Sequence, residues 1–151
     1  MPLSKEVAVT VPYDKLDQTA KDLIDAALSA RGFAYCPYSK FGVGAAVAWS
    51  DAEGIDKGCN VENATYGNTI CAERNAITTG VTQGKRKLKA IGVVAEMNDS
   101  SDFVSPCGPC RQFIYEFGNK VDVYMAKVSS VHGDVLVSTA DQLLPLGFRL
   151  N

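Results

Sequence analysis

Apolar residues recur at three- and four-residue spacing between residues 14 and 30. Leu16, Ala20, Leu23, Ile24, Ala27 and Leu28 share one face, while Lys15, Lys21, Asp22 and Asp25 share the other. That period predicts an amphipathic helix, and Gly32 stands where it would stop. The period then falls to two. Between Gly42 and Trp49, Val43, Ala45, Val47 and Trp49 alternate with residues small enough for both faces to be covered. Ser50-Asp51-Ala52-Glu53-Gly54 reads as a turn, with Ile55 to Val61 returning as the second strand of a hairpin.

Further along, Ala72 to Val81 reads as a helix with Cys71 near its first turn. Leu88 to Glu96 contains the apolar run Ala90 to Ala95, typical of a strand covered on both sides. Cys110 to Phe117 is a further helix, entered through Pro106-Cys107-Gly108-Pro109, with Gly118 past its end. Val121 to Val128 reads as a strand, Ser129 to Asp134 as a turn and Val135 to Ser138 as a short returning strand. Thr139 then caps a short helix that ends before Pro145. Strands alternating with helices, without repeats or linkers, predict a single three-layer α/β domain over residues 1–151.

Composition narrows the partners. The net charge of −2 supplies no overall basic character, which argues against a nucleic-acid partner. The short cluster Lys85-Arg86-Lys87 with Lys89 reads as a solvated loop before a strand. No apolar run approaches the roughly 20 residues of a membrane span, and Met1 to Asp14 lacks the apolar core of a signal peptide. Five cysteines, an odd number, fit reduced thiols and a cytoplasmic location better than a secreted disulfide framework.

The chemistry concentrates in two stretches, Cys71-Ala72-Glu73 and Pro106-Cys107-Gly108-Pro109-Cys110. They supply three thiols, one carboxylate and no fourth ligand. A catalytic zinc site has this stoichiometry, because one coordination position stays open for water; a structural site would close it. A carboxylate two residues from one ligand, followed later by Pro-Cys-x-x-Cys, matches the nucleobase-deaminase signature in a three-cysteine form. Zinc would acidify the water, and Glu73 would carry protons between water, ring nitrogen and departing amine. Three thiolates leave the ion formally at −1, and Arg74 together with two helix N-termini would offset that charge. The competing readings are a solvated first-turn Glu73 and a redox Cys-x-x-Cys; neither needs the other stretch. Cys36 and Cys59 read as small buried hydrophobes. His132, the single histidine, reads as a solvent-facing loop residue.

At these residues the chain resembles the small cytidine deaminases. The likeness extends to Pro37-Tyr38-Ser39-Lys40-Phe41, to Cys59-Asn60-Val61-Glu62-Asn63-Ala64-Thr65-Tyr66, to Ser105 and Arg111-Gln112 around the second cysteine pair, and to Leu143-Leu144-Pro145 with Phe148. The resemblance implies a mixed five-stranded sheet flanked by helices and one Zn²⁺ per chain held by Cys71, Cys107 and Cys110. It also implies a homotetramer with active sites shared between subunits. The implied reaction is hydrolytic deamination of cytidine and deoxycytidine in pyrimidine salvage.

In the resemblance, Asn60 and Glu62 bind ribose hydroxyls, Phe41 packs on the base and Tyr38 lines the pocket. The Ala72 N–H meets the base O2, and the Ser105 carbonyl accepts from the exocyclic amine. Phe148 and the Ala64 to Tyr66 segment reach a neighbour's site. Asn75 and Pro109 depart from the usual pattern without touching a ligand position. Blasticidin-S deamination is the nearest alternative. A nucleic-acid-editing deaminase would call for a basic, aromatic groove and often carries a helix between the last two strands, and a structural zinc module would need a fourth ligand.

Overall fold

In the computed structural model, which describes residues 7–98 and 102–150, the segment of small residues forms a strand covered on both faces. Strand β2 (Gly44–Trp49) is buried along its whole length. Ala45, Val47 and Trp49 belong to one apolar cluster, whereas Ala46 and Ala48 belong to another on the opposite face. Gly44 is required here: a Cβ on it would lie 1.9 Å from the Ala27 carbonyl oxygen.

The elements follow in the order β1 (Val9–Pro12), α1 (Gln18–Arg31), β2, β3 (Ile55–Cys59), α2 (Ala72–Thr82) and β4 (Leu88–Val94). They continue with α3 (Gly108–Glu116), β5 (Asp122–Ala126), β6 (Asp134–Thr139) and α4 (Ala140–Leu143). The sheet order is β1-β6-β5-β4-β2-β3. Only β4 and β5 run parallel; the other neighbours are antiparallel. One face takes α1 through Leu23, Ile24 and Ala27. The other takes α2, α3 and α4 through Ala76, Ile77, Ile114 and Leu143. The result is the expected three-layer α/β arrangement around a mixed sheet.

The sheet has six strands where the resemblance implied five. The additional strand β1 pairs with β6 from Val9↔Val137 to Pro12↔Asp134. Its residues are mostly exposed, so backbone pairing at an edge, rather than burial, holds it. Pro12 at the end of an edge strand fits that position, since it has no N–H to donate to a ladder. Helix α1 begins at Gln18, later than the apolar period suggested, because Tyr13–Lys15 form a 3₁₀ turn. Asp17 caps it, accepting from the Ala20 N–H at 2.8 Å. Helix α3 starts earlier than expected, at Gly108.

Three smaller expectations are corrected or sharpened. Lys85 is not solvated: its ammonium lies 2.8 Å from Asp56 with both side chains nearly buried, and Asp56 also accepts from the Trp49 indole at 2.9 Å. Cys36 and Cys59 are half-buried rather than core residues. His132 is exposed as expected, with its Nε2 2.8 Å from Asp25. Between β5 and β6 the chain makes only a short 3₁₀ turn, Val128–Ser130, so no helix is inserted there. Among the described residues no helix is long and apolar enough to cross a membrane.

Candidate metal centre and pocket

Two helix starts converge on one point. Cys71 is the residue immediately before α2, and Cys107 the residue immediately before α3; both have extended backbone. Cys110 lies inside the first turn of α3 and is fully buried. The three Sγ atoms all lie within 4.8 Å of one another, and Cys71 and Cys107 are 3.9 Å apart. Tetrahedral bonds of about 2.3 Å to zinc place sulfurs about 3.8 Å apart, so the triad fits that ion. Helix N-termini carry partial positive charge, which favours thiolates at this point.

Arg74 completes the electrostatics. One of its Nη atoms donates to Cys71 Sγ at 3.3 Å and reaches the Thr69 carbonyl at 3.5 Å. Its Nε is buried without a hydrogen-bond partner among the described residues. With protons rather than a metal on the sulfurs, hydrogen bonding from Cys110 and then from Arg74 pulls the Cys71 thiol down to about 5. Cys110, donor in that pair and buried, is pushed well up. The Arg74 guanidinium is held charged by its bond to Cys71.

Glu73, in the first turn of α2, is 5% exposed. Its burial excludes the solvated first-turn reading. Loss of water raises its carboxyl above the ordinary range, and the Cys71 charge adds to the effect. Its Oε2 lies 3.7 Å from the Cys110 sulfur. The carboxyl therefore stands beside the thiol triad in a site that favours holding a proton.

Above this floor opens a cavity of about 300 Å³. Cys71, Ala72, Glu73 and Cys107 line it, with Val104 and Ser105. Phe41, Val43, Asn60, Glu62, Ser39 and Thr69 complete the lining. The Ala72 N–H belongs to the first helical residue, which intrahelical bonding leaves unmatched. Asn60 is buried and its amide is already engaged: Oδ1 accepts from the Val43 N–H at 2.8 Å and Nδ2 donates to the Phe41 carbonyl at 2.7 Å. Glu62 Oε1 accepts from the Tyr38 and Ser39 N–H groups at 2.9 and 3.1 Å. The Ser39 hydroxyl bond, together with those N–H groups, outweighs partial desolvation and lowers the Glu62 carboxyl below its ordinary range.

A family model described as the cytidine and deoxycytidylate deaminase zinc-binding region matches residues 17–126. The chain belongs to this family.

The chain is 46% identical over 127 residues to a cytidine deaminase of Sporosarcina psychrophila, covering 83% of this chain and 88% of that protein. A cytidine deaminase of Halalkalibacterium halodurans is 43% identical over 127 residues, covering 83% and 91%. A crystal structure of cytidine deaminase from Burkholderia pseudomallei superposes with a TM-score of 0.77 at 41% identity, covering 88% of this chain and 100% of that one. The zinc-binding character of the family agrees with the three-thiol cluster.

Within this deaminase fold, not every residue expected at the site meets the pocket. Tyr38 lies outside it, lining an adjoining hollow with Tyr66, Ser39, Glu62 and Thr69; the Tyr38 and Tyr66 rings meet edge-on, with centroids 6.0 Å apart. Ala64 is exposed. Phe148 is 66% exposed and does not line its own chain's cavity, although Gln112 donates to its carbonyl at 3.1 Å. Ser39, Val43, Thr69 and Val104 were not foreseen. Ser39 sits in the Pro37 to Phe41 motif, where Lys40 adopts a positive φ of 59° and turns the chain so that Ser39 Oγ accepts from the Phe41 N–H. That turn was not visible in residue types.

Proposed function

We propose that this chain catalyses the hydrolytic deamination of cytidine and deoxycytidine to uridine and deoxyuridine, releasing ammonia. The observation that carries the proposal is the buried Glu73 carboxyl beside three clustered thiols at the base of a nucleoside-sized cavity. Cys71, Cys107 and Cys110 would hold a zinc ion, which when bound would supply acidification of the attacking water toward neutral pH. Glu73 would accept one proton from the attacking water and pass it to ring N3, then take the remaining proton of the hydroxyl added at C4 and pass it to the departing amine, leaving the 4-oxo base and ammonia. Arg74 donates to Cys71 and moderates the negative charge of the triad.

The remaining residues orient substrate. Glu62, whose Oε1 serves two backbone N–H groups, offers the remaining acceptor capacity of its carboxylate to a ribose hydroxyl. Asn60 retains one N–H and one lone pair beyond its two backbone bonds. A carboxylate in this lining disfavours a phosphate, so a nucleoside is preferred over a nucleotide. Phe41 packs on the base, the Ala72 N–H meets O2, and the Ser105 carbonyl accepts from the exocyclic amine.

The chain acts as one domain, in a homotetramer. Phe148 and the Ala64 to Tyr66 segment serve a neighbour's site, and Tyr38 lines the hollow that adjoins its own chain's cavity. Support for assembly comes from large exposed apolar side chains, among them Phe33 at 80% and Tyr66 at 74%. Five cysteines outside any disulfide support a cytoplasmic location.

The test is an absorbance assay of the zinc-loaded protein with cytidine, deoxycytidine, cytidine monophosphate and blasticidin S. Turnover of the first two, well above the others, is expected. No turnover of cytidine, or faster turnover of blasticidin S, would overturn the proposal.

A further inference from the structure

Arg111 follows Cys110 of the thiol triad, yet it does not line the cavity. Its guanidinium makes three hydrogen bonds, one from each nitrogen. Nε donates to the Pro106 carbonyl at 2.7 Å, one Nη to the Ser105 hydroxyl at 2.9 Å, and the other Nη to the Leu143 carbonyl at 2.9 Å. Its own N–H donates to the Cys107 carbonyl at 2.9 Å. Residues 103–107 belong to no helix or strand, so no ladder sets the direction of their carbonyls. Arg111 instead ties this segment, on both sides of the Ser105–Pro106 peptide, to the end of α4.

We infer that Arg111 is a positioning residue for recognition of the amine: its planar fork fixes the Ser105–Pro106 peptide so that the Ser105 carbonyl faces the exocyclic amine of the base. The inference rests on the deamination reading above and on Ser105 as the amine acceptor. A carbonyl at that place accepts a hydrogen bond from a 4-amino pyrimidine but meets a 4-oxo pyrimidine oxygen to oxygen. It therefore separates substrate from product, a discrimination made partly by repulsion. Hydrogen bonds weaken steeply with misdirection, so the separation depends on what holds the peptide. A guanidinium holds two directions at once, whereas a lysine ammonium is a point charge and cannot.

The experiment compares zinc-loaded wild type, Arg111→Lys, Arg111→Ala and Ser105→Ala. It measures zinc content, the KM for cytidine and the Ki for uridine as a competitive inhibitor. The expected result for both Arg111 variants is zinc retained at one per chain and a KM for cytidine raised about tenfold. The Ki for uridine should change less than about threefold, so the ratio of Ki to KM falls. Ser105→Ala, which removes one of the three bonds and is the mildest to the fold, should lower the same ratio about twofold to threefold. A ratio unchanged in Ser105→Ala and in whichever Arg111 variants fold overturns the inference, because a merely structural arginine would move both constants together. The parent reading fails separately: a wild type that does not turn over cytidine sinks that reading, and this inference with it.

Discussion

Gly58 lies against Ala72 so closely that a methyl group on it would come within 2.6 Å of the Ala72 carbonyl oxygen, and within 2.4 Å of the Ala76 nitrogen. The edge strand β3 thereby supports the first turn of α2, the turn that presents Cys71 and Glu73. Both neighbouring atoms are backbone, so neither can swing aside. Gly58→Ala should cost about 1–3 kcal/mol through overpacking and displace the helix start. A thermal melt several degrees below wild type and a reduced kcat are the expected outcomes. An unchanged melting temperature would show that α2 shifts freely.

Replacing Cys71, Cys107 or Cys110 by Ala should remove most of the metal and the activity together, because two thiols no longer make a zinc site. Metal analysis of each purified variant checks this. Full occupancy in Cys110→Ala would mean that the ligand set is wrong.

Glu73→Gln preserves shape but not proton transfer. Zinc should stay at the wild-type level while turnover falls by about 10²–10⁴, the usual contribution of a positioned acid-base group. A loss below about tenfold would assign the proton transfers to another group.

The Glu62 carboxyl is lowered by its hydrogen bonds to Ser39 and Tyr38, and this fixes the sign of a pH effect. A carboxyl whose folded pKa lies below its unfolded value stabilises the fold above the unfolded value, about 4.3. That stabilisation is lost as pH falls through the lowered folded value. The stability difference between wild type and Glu62→Gln should therefore be constant near neutrality and vanish in acid. Chemical denaturation across pH 2–7 (approximate limits, spanning both pKa values) would expose a difference that instead grows toward low pH. The same variant should raise the KM for cytidine, since Glu62 lines the cavity and is the proposed partner of a ribose hydroxyl.

Phe148→Ala should raise the KM and loosen the assembly, with zinc retained by each chain. Truncating an aromatic anchor at an interface typically costs about 2 kcal/mol or more. Wild-type sedimentation should give a species near four times the 16.1 kDa chain mass. A fully active monomer would remove the shared-site assignment of Phe148.

The helices were legible because each buries a stripe of small or branched apolar residues; Leu23, Ile24 and Ala27 show it in α1. The double-sided burial of β2 was legible in its alternation of Val47 and Trp49 with alanines. Strand β1 was not read, although Val7, Val9 and Val11 alternate. Four residues at a sheet edge bury little, and the pairing with β6 depends on partners more than 120 residues away. At the site, the triad and Glu73 could be found because metal ligation restricts residue type and spacing. The double use of Asn60 on the backbone, and the fork of Arg111, depend on where carbonyls point, which residue types do not encode. Lys85 was misread for the same reason: its partner Asp56 lies across the sequence in β3.

Helices usually start at Ser, Thr, Asn or Asp, whose oxygen satisfies an unpaired N–H. Here α2 and α3 start at Cys71 and Cys107, and neither side chain caps its own helix. The metal centre thus stands where two caps would be, which couples ligand binding to the folding equilibrium. Any species bound only by the native chain stabilises it by about 4.1 kcal/mol at a thousandfold excess over its dissociation constant. Chelation should therefore act as a local denaturant, with amide exchange rising first in the opening turns of α2 and α3 while β2 and β4 stay protected. The abundance of active protein in a cell would then track the supply of free zinc, through stability as well as through catalysis.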